Sequence, residues 1–142
     1  MKLLGLDIGD RRIGLAFGDS ELRMATPLNV VERASFEQVA REISAFAKNY
    51  DAERLVVGMP RNMDGTMGAQ GDSVKSFAEQ IASVLKLQIV FWDERLTTVE
   101  ATERVHANGN RRPAKKSRRG LDAIAASVIL QDYLDSQRST AE

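Results

Sequence analysis

Cysteine is missing from the 142-residue chain, which excludes disulfides, thiolate metal sites and cysteine nucleophiles and fits a reducing compartment. Any metal must be held by oxygen or nitrogen. Histidine is nearly missing: the single His106 lies on the polar face of a predicted helix and reads as structural or exposed, not as a general base. No apolar stretch is long enough for a membrane span, and the opening run Leu3-Leu4-Gly5-Leu6 is cut by Asp7, too early for a secretory core. The expected location is the cytoplasm, with no membrane partner. A net charge is also lacking, since 20 basic residues balance 20 acidic ones. Taken alone, that balance argues against a polyanionic partner. The distribution reverses the inference: Arg111, Arg112, Lys115, Lys116, Arg118 and Arg119 place six positive charges within nine residues and leave 14 basic against 20 acidic residues elsewhere.

What is present is an ordinary globular composition, 43% hydrophobic and 28% charged, of a size suited to one domain with one core. Residues 1–136 are expected to form that domain and 137–142 a polar, frayed tail. Lys2 to Asp7 and Arg12 to Gly18 are apolar runs around the turn Ile8-Gly9-Asp10-Arg11, the pattern of a hairpin, and a third strand is predicted over Pro27 to Glu32. Ser35 and Gln38 have capping-box spacing ahead of a helical apolar rhythm from Phe36 to Tyr50. Arg54 to Met59 reads as a buried strand ended by Pro60. A long loop then leads to a second helix striped by Val74, Phe77, Ala78, Ile81, Val84 and Leu85, followed by a strand from Leu87 to Trp92. Thr97 and Glu100 would open a third helix ending near Gly109, Asn108 to Ser117 a basic loop, and Arg118 to Leu121 a last helix reaching Tyr133 or Leu134. The predicted fold class is α/β: a five-stranded mixed sheet flanked by helices. Crossover connections would bring the last two strands beside the first, with their carboxyl ends aligned.

That alignment draws attention to acids. Asp7 ends the first strand, Glu94 follows another, and Asp122 lies in the first turn of the last helix, so three carboxylates can converge. Clustered carboxylates repel one another unless a cation sits among them, and hard oxygen donors suit magnesium or manganese. Such a centre hydrolyses phosphodiesters, and the basic loop beside Asp122 would neutralise backbone phosphates. Each acid also has a structural reading. Asp7 is then a turn former, Glu94 pairs with Arg95 or Arg54, and Asp122 is a favourable charge near a helix N-terminus. Asp10, Asp19, Asp93 and Asp132 read as surface or turn acids, with Asp93 the alternative to Glu94. Trp92 reads as core in preference to a platform for stacking bases.

Four motifs narrow this further. Leu6-Asp7-Ile8-Gly9-Asp10-Arg11-Arg12-Ile13-Gly14-Leu15-Ala16, Val57-Gly58-Met59-Pro60-Arg61-Asn62-Met63-Asp64-Gly65-Thr66, Asp93-Glu94-Arg95-Leu96-Thr97-Thr98 and Leu121-Asp122-Ala123-Ile124-Ala125-Ala126 together resemble the YqgF/RuvX family, in order, over roughly residues 1–134. That family is described as Holliday-junction-resolvase-like and, in bacteria, as the nuclease that matures the 5′ end of 16S ribosomal RNA. The resemblance implies a ribonuclease H-like fold, a divalent metal held by Asp7, Glu94 and Asp122 as catalytic residues, and precursor rRNA as substrate, with the assembling small ribosomal subunit as a partner. Arg61 departs from the apolar residue expected at its place in the loop. Arg61, Asn62, Thr66 and Arg95 join the basic-loop residues as expected substrate contacts.

Two rivals belong to other classes. The Asp-x-Gly hairpin also opens actin-like ATPases and sugar kinases, but those need a second lobe for which 142 residues leave no room. A nucleic-acid-binding regulator on the same fold, with little turnover, is the nearer rival. Four-way DNA remains the alternative substrate, because a basic loop reads phosphates and not sugars. Replacing Arg61 by Ala is expected to weaken nucleic-acid binding and its salt dependence; an affinity unchanged across a salt series would remove Arg61 from the interface.

Overall fold

The computed structural model describes residues 1–60, 68–94 and 118–141. The helix expected between Thr97 and Gly109 lies outside them, as do Arg61, Asn62, Thr66, Arg95, Arg111, Arg112, Lys115 and Lys116. Strands β1 (Lys2–Ile8), β2 (Arg12–Asp19) and β3 (Met24–Glu32) form an antiparallel meander. Helix α1 (Phe36–Asn49) carries the chain to β4 (Arg54–Met59), which pairs parallel with β1. Helix α2 (Ala69–Leu85) then leads to β5 (Gln88–Asp93), parallel to β4, and α3 (Arg118–Ala141) completes the described chain. The sheet order is β3-β2-β1-β4-β5, the mixed arrangement expected.

Local chemistry explains most of these boundaries. The capping box at the start of α1 is formed: the Gln38 amide N–H donates to Ser35 Oγ at 3.1 Å, and the Ser35 N–H donates to Gln38 Oε1 at 3.2 Å. Strand β3 begins at Met24, three residues before the predicted start at Pro27. Pro27 is tolerated because β3 is an edge strand and because the register shifts beside it, with Leu15 opposite Asn29 and Ala16 opposite Pro27.

The two faces of the sheet are built differently. Alternation sends Leu4, Leu6, Ile8, Ile13, Leu15, Leu55, Val57 and Met59 to the face covered by α1 and α2, where they form the larger core. The opposite face is lined by small residues, with Gly5 opposite Ala16 and Asp7 opposite Gly14. Helix α3 lies against it through Ala126, Ile129, Leu130, Tyr133 and Leu134. The approach is close enough that a Cβ on Gly14 would collide with the carbonyl of Asp122.

Helix α3 departs from expectation in two ways. It runs 24 residues to Ala141, past the predicted end at Tyr133 or Leu134; no Gly or Pro interrupts the chain between Leu121 and Ala141. Because it begins at Arg118, Asp122 falls beyond the first turn. Its polar side chains are also more buried than their type suggests. Gln131 is fully buried, accepting from the Ala25 N–H at 3.0 Å and donating to the Arg23 carbonyl at 3.0 Å, which ties the start of β3 to the helix. Asp132 is not a surface acid: it is buried and accepts from Trp92 Nε1 at 2.8 Å. Trp92 is thereby packed against the second core, edge-on to Tyr133. No helix among the described residues is long and apolar enough to cross a membrane.

Because nothing at Gly14 can yield except the helix itself, Gly14→Val is expected to lower the unfolding free energy by about 1–3 kcal/mol. Urea denaturation checks this, and an unchanged midpoint would mean that α3 does not lie this close to β2.

Candidate active site

Asp7 stands near the carboxyl end of β1, on the face that α3 covers. Its antiparallel partner is Gly14, and on the other side the register that sets Leu6 opposite Val57 brings Gly58 next to it. Glycines on both flanks leave a notch around the carboxylate.

Glu94 fills part of that notch. It follows β5 directly, and its Oε2 and Cγ lie 3.0 and 3.1 Å from where a Cβ on Gly58 would stand. The same alternation separates it from Asp93. Trp92 pairs with Gly58 and packs on the α3 side, whereas Asp93 pairs with Met59, whose side chain belongs to the opposite core. Glu94 therefore returns to the face of Asp7, and Asp93 faces away. Nor is Glu94 tied to Arg54, whose guanidinium donates to Tyr133 Oη at 3.0 Å and to Gln88 Oε1 at 2.8 Å. Asp122 reaches the same end of the sheet from α3, and its Oδ2 accepts from Arg12 Nε at 2.6 Å.

The electrostatics record the convergence. Burial, and then the charge of Asp122, push the Asp7 carboxyl up from 3.8 to about 6. Burial, then Asp7 and Asp93, hold Glu94 above the usual carboxylate range. Three elements distant in sequence thus bring their carboxylates together, Asp7 with Asp122 and Glu94 with Asp7, at a point rich in oxygen donors where Arg12 is paired with Asp122. That donor set fits a hard divalent cation. Among the described residues no three acidic or imidazole side chains already form a closed ligand group, and one oxygen of Asp122 is engaged by Arg12.

Of the other expected contacts, Arg118 and Arg119 open α3, one turn ahead of Asp122. Arg12 was not among the candidates, although alternation points to it: it lies two residues before Gly14, on the face shared with Asp7. Asp19 behaves as the turn acid expected, accepting from the Glu21 N–H at 2.8 Å.

Residues 1–136 match the family model described as RuvX, Holliday junction resolvase. Two curated relatives carry the name "Putative pre-16S rRNA nuclease". The one from Caldanaerobacter subterraneus subsp. tengcongensis is 42% identical over 99% of this chain and 100% of its own length. The one from Desulforudis audaxviator is 43% identical over 98% of this chain and 97% of its own. Among solved structures, T. thermophilus RuvC in complex with a Holliday junction substrate superposes with a TM-score of 0.64 at 13% identity, covering 99% of this chain and 97% of that one. The fowlpox virus Holliday junction resolvase does so with a TM-score of 0.61 at 12% identity, covering 96% and 99%. At these identities the likeness establishes the ribonuclease H-like fold.

The Asp7 shift has a sign that can be tested without any substrate. Between pH 3.8 and about 6 the folded chain holds a proton that the unfolded chain has released, so stability falls as pH rises through that window and stays lower above it. Asp7→Asn is expected to stabilise the metal-free protein at neutral pH by about 1–2 kcal/mol and to flatten this part of the profile. Urea titrations in EDTA across that range measure it; a neutral-pH loss of stability in the variant would contradict the charge clustering.

Proposed function

The chain belongs to the RuvX family, and from that premise we propose that it is a metal-dependent nuclease that cleaves the precursor of 16S rRNA to form its 5′ end. The observation that carries this reading is the meeting of Asp7, Glu94 and Asp122 from β1, the end of β5 and α3, with Asp7 and Glu94 both held above the ordinary carboxylate range. Asp7, Glu94 and Asp122 would hold a magnesium or manganese ion. When bound, the ion supplies Lewis acidity toward a phosphoryl oxygen and toward water. In the hydrolysis, water oxygen bonds to phosphorus, the phosphorus–oxygen ester bond breaks, and the departing oxygen takes a proton.

The chain's own residues contribute rigidity and charge. Asp7 stands on a strand paired on both sides, opposite Gly14, and Glu94 lies in the space that Gly58 leaves open, which would hold both carboxylates near the substrate. Arg61, Asn62, Thr66, Arg95, Arg111, Arg112, Lys115, Lys116, Arg118 and Arg119 are the proposed contacts to the substrate, the basic ones neutralising its phosphates. The reading places the protein in the cytoplasm, working on precursor rRNA within the assembling small subunit.

Resolution of four-way DNA is the second reading, favoured by the description of the matching family model. Cleavage assays on a precursor 16S 5′-end RNA and on a synthetic four-way junction, with magnesium or manganese, decide between them. RNA cleavage that falls at least about a hundredfold in Asp7→Asn is expected. Cleavage of the junction alone would move the protein to DNA. Binding without cleavage of either would leave a regulator on a nuclease fold.

A further inference from the structure

Arg12 opens β2 on the face shared with Asp7, and its guanidinium meets Asp122 through Nε alone, at 2.6 Å. A guanidinium carries five N–H donors in a planar fork and usually meets a carboxylate with two of them. Here Nη1 and Nη2 make no hydrogen bond to any described residue, and the side chain keeps 23% of its surface exposed. Other arginines around the sheet are occupied differently. Arg33 donates to the Gly9 carbonyl and lies over the Phe77 ring, and Arg54 is bound to Tyr133 and Gln88.

The surroundings of Arg12 are acidic: Asp122 and then Glu32, its cross-strand partner on β3, both favour its charged form. Neither carboxylate engages the terminal nitrogens of Arg12, and the Nε contact limits rotation of the fork. A cation anchored at one edge and open at the other, beside carboxylates that must approach a phosphodiester, is suited to two oxygens of one phosphate.

We propose that Arg12 is a phosphate-binding residue of this site, held by Asp122 through Nε and presenting Nη1 and Nη2 to the non-bridging oxygens of a substrate phosphodiester. The proposal rests on the nuclease reading of the acidic site. It adds a fixed positive group carried on the sheet itself, next to acids that would otherwise repel the substrate. Because the contact is to phosphate, it serves RNA and DNA alike.

The test is binding of a fluorescein-labelled single-stranded RNA, followed by anisotropy in EDTA over a salt series, so that neither cleavage nor metal contributes. Wild type, Arg12→Gln, Asp122→Asn and the double variant form a cycle, with circular dichroism confirming the fold. Arg12→Gln is expected to weaken binding about five- to tenfold and to reduce the salt slope by about one. The same loss is expected in the Asp122→Asn background, where the amide Oδ1 can still accept from Arg12 Nε and there is no Asp122 charge to mask. Arg12→Lys, which keeps the charge on a chain that folds as wild type, is expected to retain the salt slope. If the loss disappears in the Asp122→Asn background, Arg12 acts by screening Asp122 and the proposal is overturned. Unchanged affinity in Arg12→Gln, with a wild type that binds and cleaves, overturns it and leaves the nuclease reading standing. A wild type that binds neither this RNA nor a four-way DNA junction overturns both.

Discussion

A helix backbone can lie directly on a strand only where the strand carries almost no side chain. That constraint governs the α3 face of the sheet. Gly14 leaves room for the Asp122 carbonyl, and Ala16 and Ala25 leave room for the apolar ridge of α3 below it. The opposite face, packed with Leu, Ile, Val and Met under α1 and α2, provides most of the buried apolar area and so most of the hydrophobic stabilisation. One face therefore makes the domain stable, and the other, stripped of bulk, lets an acid-bearing helix come within reach of Asp7.

Close approach has an electrostatic cost that the structure answers in part. The Asp7 carboxyl is lifted to about 6 by burial and by Asp122, and Glu94 is raised by burial and by Asp7. Arg12 offsets Asp122 through a single short contact, and among the described residues no such ion pair reaches the other two acids. Such residual frustration is common where a site must attract a cation or a transferring group, because a fully neutralised cluster would have nothing to offer either.

Much of this was legible from local patterns. The hairpin, β4 and the Ser35–Gln38 capping box depend on alternation and on contacts three residues apart, so short windows suffice. The early start of β3 was not legible, since Met24 to Thr26 become strand only by pairing with β2 around the irregularity beside Pro27. The burial of Asp132 was hidden for a similar reason: a carboxylate reads as surface until Trp92, forty residues earlier, is known to donate to it. The three acids were proposed from their position at element ends and from the family resemblance together. The register of β5 against β4 then separates Glu94 from Asp93 by face, and the place of Arg12 on the Asp7 face follows from extending the alternation of Gly14 and Ala16 by one step.

The acidic cluster joins the first strand to the last helix of the described chain, and this order has a consequence for biosynthesis. A chain emerging from the ribosome exposes Asp7 and Glu94 before Asp122, so the hairpin, both crossovers and β5 can be in place while the cluster still lacks one member. The cluster is completed by one later event, the docking of α3, which also covers the small-residue face and ties down β3 through Gln131. A copy cut short before α3 would carry Asp7 without Asp122, so on the proposed reading it would hold no assembled site.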